Sequence, residues 1–396
     1  MVVVIGWQVY DIARRTMTPK EAAFQLGLIG VFQFVPLLAL TLVVGWTADR
    51  IDRRWIARGS VLLEAACATT LGLLAWHHAT TLPHLFAVAA LLGVARAFAS
   101  PALSALAPNL VPPAVLPNAI ALGSIAWQSG AILGPATGGY LYAHSHWLPY
   151  AGSAGLFAIA FVSLMLIGPV RRTSLDGRAN PWAQMIDGLR YVCRNRLVLG
   201  AISLDLFAVL LGGATAMLPI FARDVLAIGP AGLGHLRAAP AVGAAAVALW
   251  FAFRPLRSNV GLKMLGAVAV FGAATIVFGF SRWLPLSLAC LALLGAADMF
   301  SVYVRQSLIQ IYTPDAMRGR VGAVATLFVS GSNELGEAES GFLAALVGPV
   351  AAVVAGGVGA VAVTLLWSRW FPELVRARTF APPKTLEDIP LQEKAT

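Results

Sequence analysis

Residues 45–54, GWTADRIDRR, interrupt an otherwise apolar stretch of chain. Apolar spans near 22–46 and 55–76 flank them, and at about 1.5 Å rise per residue each is long enough to cross a hydrocarbon layer about 30 Å thick. The segment therefore reads as a short loop between two membrane helices. Arg50, Arg53, Arg54 and nearby Arg58 set cations at one membrane face, and short loops rich in Lys and Arg stay on the cytoplasmic side. Topology signalling alone is one reading of the arginines, and a functional charge cluster is the other. Asp49 contributes little to such sorting, and beside a helix end and three cations it can hold a switchable charge cluster.

The rest of the chain repeats this pattern. Of its 396 residues 59% are hydrophobic and only 12% charged, with a mean hydropathy of +0.78, far from a soluble composition. Apolar spans between charged or Pro/Gly breaks predict helices near 1–13, 22–46, 55–77, 83–106, 115–143, 147–169, 197–221, 231–253, 259–281, 284–311, 319–348 and 350–371. The expected fold class is all-α and polytopic, with twelve membrane helices, the first unusually short. The formal net charge is +10, but the cations are divided among interhelical loops and form no stripe, which argues against nucleic acid as a partner and for the lipid bilayer. Cys67, Cys193 and Cys290 are scattered without metal-ligand or disulfide spacing, so no metal or other cofactor is expected. The first apolar run meets Asp11, Arg14 and Arg15 instead of a cleavage site, which is not the pattern of a signal peptide. The GxxxxGK[ST] phosphate loop is missing, so ATP is not the energy source within this chain.

Charge also orients the molecule. The face of the 45–54 segment collects Arg171, Arg172, Arg178, Arg190, Arg194 and Arg196, then Arg254, Arg257, Lys263, Arg318 and Arg320, and the basic residues of the tail; the other face holds Arg14, Arg15, Lys20, Arg223 and Arg282. Both chain ends are thus expected to be cytoplasmic, in a bacterial inner membrane, with the cluster of Arg14, Arg15 and Lys20 dissenting. The longest connection carries Asn180 as an N-cap, Pro181 at the first helical position, and Trp182, Met185, Ile186, Leu189 and Val192 at helical spacing. It reads as an amphipathic helix on the cytoplasmic surface. The expected organisation is a six-helix half over 1–169, this linker over 170–196, a second half over 197–371 and a cytoplasmic tail over 372–396.

A shift of 202 residues supports the division. It pairs Gly27 with Gly229, Gly59 with Gly261, Gly93 with Gly295, Gly134 with Gly336, Gly139 with Gly341, and Pro112 with Pro314. Two parallel six-helix repeats form a transporter architecture with its site at their interface. The same shift maps 197–221 onto −5 to 19, so the first helix is expected to be truncated, its true start lying upstream.

Three sets of residues carry candidate chemistry. In GAILGPATGG, Gly130, Gly134 and Gly138 share one helix face at spacing four, with Pro135 and Gly139 beside it; small residues admit close helix approach and the proline gives a pivot. Arg96 and Asp298 stand at repeat-equivalent positions in apolar helices, and each charge costs about 2.5–3.5 kcal/mol at mid-bilayer, which favours an interior location. They can pair with each other, or Arg305, seven residues on, can serve Asp298. In SNELGEAESG, Glu334 and Glu337 lie three apart on one face and Glu339 on another. Carboxylates held away from water beside like charge bind protons more readily, as reversible proton coupling requires; capping a broken helix or pairing with an arginine is the structural alternative. Asp205 is a weaker candidate, and Glu64 and His235 read as residues satisfied by local hydrogen bonds.

These residues resemble the major facilitator superfamily over essentially the full chain. Gly45, Asp49, Arg50, Arg53 and Arg54 match its loop signature between the second and third helices, although Thr47 and Asp52 replace the usual Leu and Gly. The resemblance implies a cytoplasmic gate in which Asp49 and its arginines meet the opposing half near Arg318 and Arg320. Gly130, Gly134, Pro135, Gly138 and Gly139 match the fifth-helix signature of antiporting exporters. WQVYD at 7–11, GVARAFASPA at 93–102, RGRVGAV at 318–324, SNELGEAESG at 332–341 and FPEL at 371–374 look like the enterobactin-exporter-like branch.

The resulting expectation is a monomeric secondary transporter that exports a small siderophore- or drug-like molecule by alternating access, with protons as coupling ion. Glu334, Glu337, Asp298, Arg305, Arg96 and Asp205 are its cavity and proton-coupling candidates. An importer or uniporter of the same fold is the nearest alternative. A membrane-embedded enzyme would need a nucleophile with a base or a metal cluster at one depth, which the sequence does not display; a non-transporting receptor would need no proton-dependent flux.

Overall fold

Inside a bilayer every backbone N–H and C=O must find a partner within the protein, and a helix does this within one segment. The computed structural model describes residues 1–106, 110–112, 115–168, 181–254, 256 and 258–380; within its helices the side chains of residues 41, 42, 45, 46, 48–50, 104, 105, 117, 181–184, 315 and 316 lie outside the description. Among the described residues the regular structure is helical: α1 (Val2–Ala13), α2 (Pro19–Arg50), α3 (Arg53–Trp76), α4 (Leu82–Leu106), α5 (Leu116–His144), α6 (Leu148–Met165), α7 (Pro181–Arg194), α8 (Arg196–Leu211), the single turn α9 (Leu218–Ile220), α10 (Gly229–Phe253), α11 (Val260–Phe280), α12 (Leu284–Tyr312), α13 (Asp315–Val347), α14 (Pro349–Trp370) and α15 (Pro372–Arg376). Nine spans among the described residues are long and apolar enough to cross a membrane. The short α1, with α5 and α13, packs among them.

Local chemistry sets the ends. Thr18 and Glu21 form a reciprocal capping box ahead of Pro19, which starts α2 three residues before the apolar run. Helix α2 then continues through Arg50, so the expected 45–54 loop is a correction: only Ile51 and Asp52 separate α2 from α3. Between Trp46 and Arg50 nothing breaks a helix, and the Asp52 carboxylate accepts the Arg54 N–H at 3.0 Å to start the next one. The expected continuous helix at 197–221 is also corrected. Helix α8 stops at Gly212–Gly213, and the chain goes on through a 3-10 turn at Ala214–Met217, α9 and a π turn at Phe221–Val225. Consecutive glycines hold a helix poorly. A Cβ on Gly213 would also meet the Gly336 carbonyl at 2.8 Å.

The packing repeats itself. Helix α2 packs on α4, α3 on α4 and α6; correspondingly α10 packs on α12, and α11 on α12 and α14. The two sets meet where α2 lies on α13 and α5 on α10. Repeat-related glycines make both kinds of seam close. A Cβ on Gly93 would lie 2.6 Å from the Gln33 carbonyl, while one on Gly295 would run into the Pro240 carbonyl. Likewise, a Cβ on Gly139 would lie 2.5 Å from the Pro230 carbonyl, and Gly341 abuts the Gly27 backbone. Helix α7 rests on α13, with Gly188 set against the Arg320 carbonyl; the start of the expected linker, 170–180, lies outside the described residues.

Candidate functional site

Where the two sets of helices diverge they enclose a cavity of about 1510 Å³, larger than the roughly 300–1,000 Å³ of most small-molecule sites. Leu37, Trp127, Phe157 and Phe271 give it apolar wall, and Gln33, Gln128 and Asn333 give it polar points. The broken segment after α8 opens its Gly212, Gly213 and Thr215 onto it.

Among the described residues six ionisable side chains line this space: Glu64, Arg96, Arg237, Asp298, Glu334 and Glu337. Arg96 Nη1 lies 3.2 Å from Glu334 Oε1 and donates to Gln33 Oε1 at 3.1 Å, joining α4 to both α13 and α2. The second carboxylate oxygen of Glu334, Oε2, is buried with no hydrogen-bond partner. Arg237 donates to the Thr215 carbonyl at 2.8 Å and approaches Glu337 at 3.5 Å. Each arginine thus offsets one glutamate of α13.

Other candidates lie elsewhere. Arg305 forms a buried ion pair with Asp205, both nearly sealed from solvent, and neither lines the cavity; the expected partnership of Arg305 with Asp298 is therefore corrected. Seven residues turn a helix almost twice, but helix α8 presents a carboxylate to Arg305 first. Glu64, expected to be satisfied by a neighbour, instead faces the cavity. His235 does make its hydrogen bond, at 2.8 Å from the Tyr140 hydroxyl. On α5 a Cβ at Gly130 or Gly134 would meet nothing within 4 Å, and one at Gly138 would meet only Val4 at 3.6 Å. The close approach to α10 is made by Gly139 and by Pro135 with Ala136, which abut Gly234.

In the 45–54 segment, Gly45, Asp49 and Arg50 have side chains outside the described residues. Arg54 turns back on Asp52 at 2.7 Å. Arg58 donates to the Leu164 carbonyl at 2.9 Å and the Ile167 carbonyl at 3.1 Å, satisfying the orphan carbonyls at the end of α6. Arg318 donates to the Gln310 carbonyl at 3.0 Å, and Arg320 reaches Asp187 of α7 at 3.4 Å. Arg53 is engaged as well.

A second charged cluster, missed from the sequence, lies at the opposite end. The Tyr10 hydroxyl donates to Asp224, Arg14 reaches Asp224 at 3.2 Å, and Arg223 reaches Asp11 at 3.1 Å. Lys20 adds a hydrogen bond to the Leu346 carbonyl at 2.9 Å. These contacts tie α1 and α2 to the second set of helices. Arg14 and Arg15, the dissenting cations, are each matched by an acid. The signal was present, since YD at 10–11 and RD at 223–224 set opposite charges at two helix ends on one face. Arg237, an embedded cation like Arg96, could have been found by the same reasoning.

Comparison with known proteins agrees with this geometry. The model of the Major Facilitator Superfamily matches residues 16–337. Among curated relatives, the chain is 28% identical over 384 residues to "Enterobactin exporter EntS" of Shigella boydii serotype 18, covering 96% of this chain and 90% of that protein, and equally to the protein of that name from Escherichia coli strain SMS-3-5. Among solved structures, the inward open conformation of the xylose transporter XylE from E. coli superimposes with a TM-score of 0.68 at 12% identity, covering 94% of this chain and 95% of that one. A bacterial homolog of the human lysosomal transporter Spinster, inward-facing and occupied, gives 0.71 at 15% identity over 94% of both. A cavity between two packed helical repeats, with matching family and fold, makes this a multi-pass membrane transporter of small molecules and not an enzyme: the chain belongs to the major facilitator superfamily.

Proposed function

We propose that this transporter exports a small organic molecule from the cytoplasm in exchange for protons. The halves 1–169 and 197–371 rock about the cavity as a monomer in the inner membrane, with the linker 170–196 and the tail 372–396 on the cytoplasmic side. Export is supported by the curated relatives, which carry that activity in their names. The charged ties at the Tyr10–Asp224 end, with the cavity reaching Val44 and Ala323 at the other, suit a state open toward the cytoplasm.

The observation that carries proton coupling is Glu334. One of its oxygens holds Arg96 across the cavity while the other is buried without a partner, a place where losing the charge lowers the cost of burial. Protonation neutralises the carboxylate and weakens a tie between α4 and α13, and an interaction present in one state only is what moves a two-state equilibrium. Glu337, held more loosely by Arg237, is the second candidate. Asp49, Arg50, Arg53, Arg54, Arg318 and Arg320 form the cytoplasmic gate in the state opposite to this one, and the open Gly130–Gly134 face of α5 receives a helix there.

Substrate uptake into inverted membrane vesicles under an imposed pH gradient tests the reading. Uptake should follow the gradient, and Glu334→Gln should remove that dependence. Uptake that ignores the gradient counts against antiport, and gradient-driven loss from the vesicles would make the protein an importer.

A further inference from the structure

Among the described residues the cavity's charges do not balance. Its four carboxylates, Glu64, Asp298, Glu334 and Glu337, face two guanidiniums, and both guanidiniums are taken by the α13 glutamates. Among the described residues no hydrogen bond or ion pair reaches Asp298 or Glu64, on α12 and α3 respectively. Arg96 acts on Glu64 through space, but among the described residues no cation is set against Asp298, and a carboxylate beside an apolar wall attracts a counter-charge. The adjoining wall is apolar, and Trp127, 81% exposed, turns its indole into the same space; the face of an indole attracts cations.

We propose that the substrate is an amphipathic organic cation, its positive charge held by Asp298 and its apolar body against Trp127 and Phe157. This rests on the export reading and sharpens it. The proton and the substrate then use different carboxylates, Glu334 for the first and Asp298 for the second. An anion of the same shape would instead face an excess of negative charge, and like-charge juxtaposition is what excludes wrong partners.

The test compares two ions of nearly identical shape and opposite charge, tetraphenylphosphonium and tetraphenylborate, binding to the full-length protein in zwitterionic nanodiscs, with empty nanodiscs subtracted to remove lipid partitioning. Tetraphenylphosphonium should bind at least about tenfold more tightly. Asp298→Asn should reduce that preference by about tenfold, Asp298→Glu should retain it, and Glu64→Gln should reduce it by a smaller factor, providing a second reading should Asp298→Asn not fold. Equal binding of both ions, tighter binding of the borate, or a preference unaltered in both Asp298→Asn and Glu64→Gln overturns the cation assignment. Gradient-driven flux in inverted vesicles is measured separately, so export can survive the loss of this assignment, and the assignment can survive the loss of proton coupling.

Discussion

Arg96 and Glu334 stand 238 residues apart in sequence and 3.2 Å apart across the cavity wall. Neither helix could afford its charge alone in a bilayer, and the pair brings one helix of each repeat to the same depth. If the two act as one switch, their substitutions are not additive. A double-mutant cycle with Arg96→Gln and Glu334→Gln on the rate of gradient-driven transport is expected to give a coupling of about 0.5–3 kcal/mol. Additive losses would show that they act separately.

The seams predict a sharp contrast among glycines. Gly139→Ala and Gly341→Ala push a methyl group into backbone of the facing helix, and overpacking of this kind costs about 1–3 kcal/mol. Both variants should melt earlier in detergent. Gly130→Ala and Gly134→Ala meet open space, so their melting temperature should match or exceed the wild type, since alanine holds a helix better than glycine. A fall in transport rate without a fall in melting temperature would place that face at a contact made only in another conformation.

Asp224 accepts from Tyr10 and Arg14, both on the first set of helices. Replacing it by Asn keeps the shape and removes the charge, and the ties that close this end weaken. Spin labels at the exposed positions Thr16 and Ala227 should report a larger population of long distances in Asp224→Asn than in the wild type. An unchanged distance distribution would mean that the end is held by packing.

The Arg305–Asp205 pair is sealed, with side chains only 4% and 6% exposed. Arg305→Met leaves a carboxylate buried without its counter-charge, which costs about 3–5 kcal/mol, whereas exchanging both partners for apolar residues costs far less. Thermal unfolding should show a large loss for Arg305→Met and substantial recovery in Arg305→Met/Asp205→Leu. Since the pair lies off the cavity, the recovered protein should retain tetraphenylphosphonium binding.

Much of this was legible in the sequence. Apolar spans of bilayer length must become helices, because the bilayer offers the backbone no other partner, and the 202-residue shift foretold packing pairs that recur in both sets. The presence of Arg96, Glu334, Glu337 and Asp298 on cavity walls follows from the cost of setting charge against lipid. The shape of the 45–54 segment was not legible, since one carboxylate, Asp52, starts a helix where composition suggested a loop. Nor was the break after α8, where Gly212 and Gly213 look like ordinary packing glycines until Gly336 is placed beside them.

The sequence by itself determined the material: helices, their approximate lengths, their duplication, and which of them carry charge into the membrane. These follow from local periodicity and from transfer energies, which depend on each segment alone. The tertiary structure decided the partnerships. It gave Arg305 to Asp205, Arg96 to Glu334 and Arg237 to Glu337, and left Asp298 and Glu64 facing the cavity outside any ion pair among the described residues. Pairing depends on which helix faces turn toward one another, and that is fixed by glycine contacts between segments some 100 to 300 residues apart, such as Gly27 with Gly341 and Gly139 with Gly234, where backbone meets backbone with no side chain between.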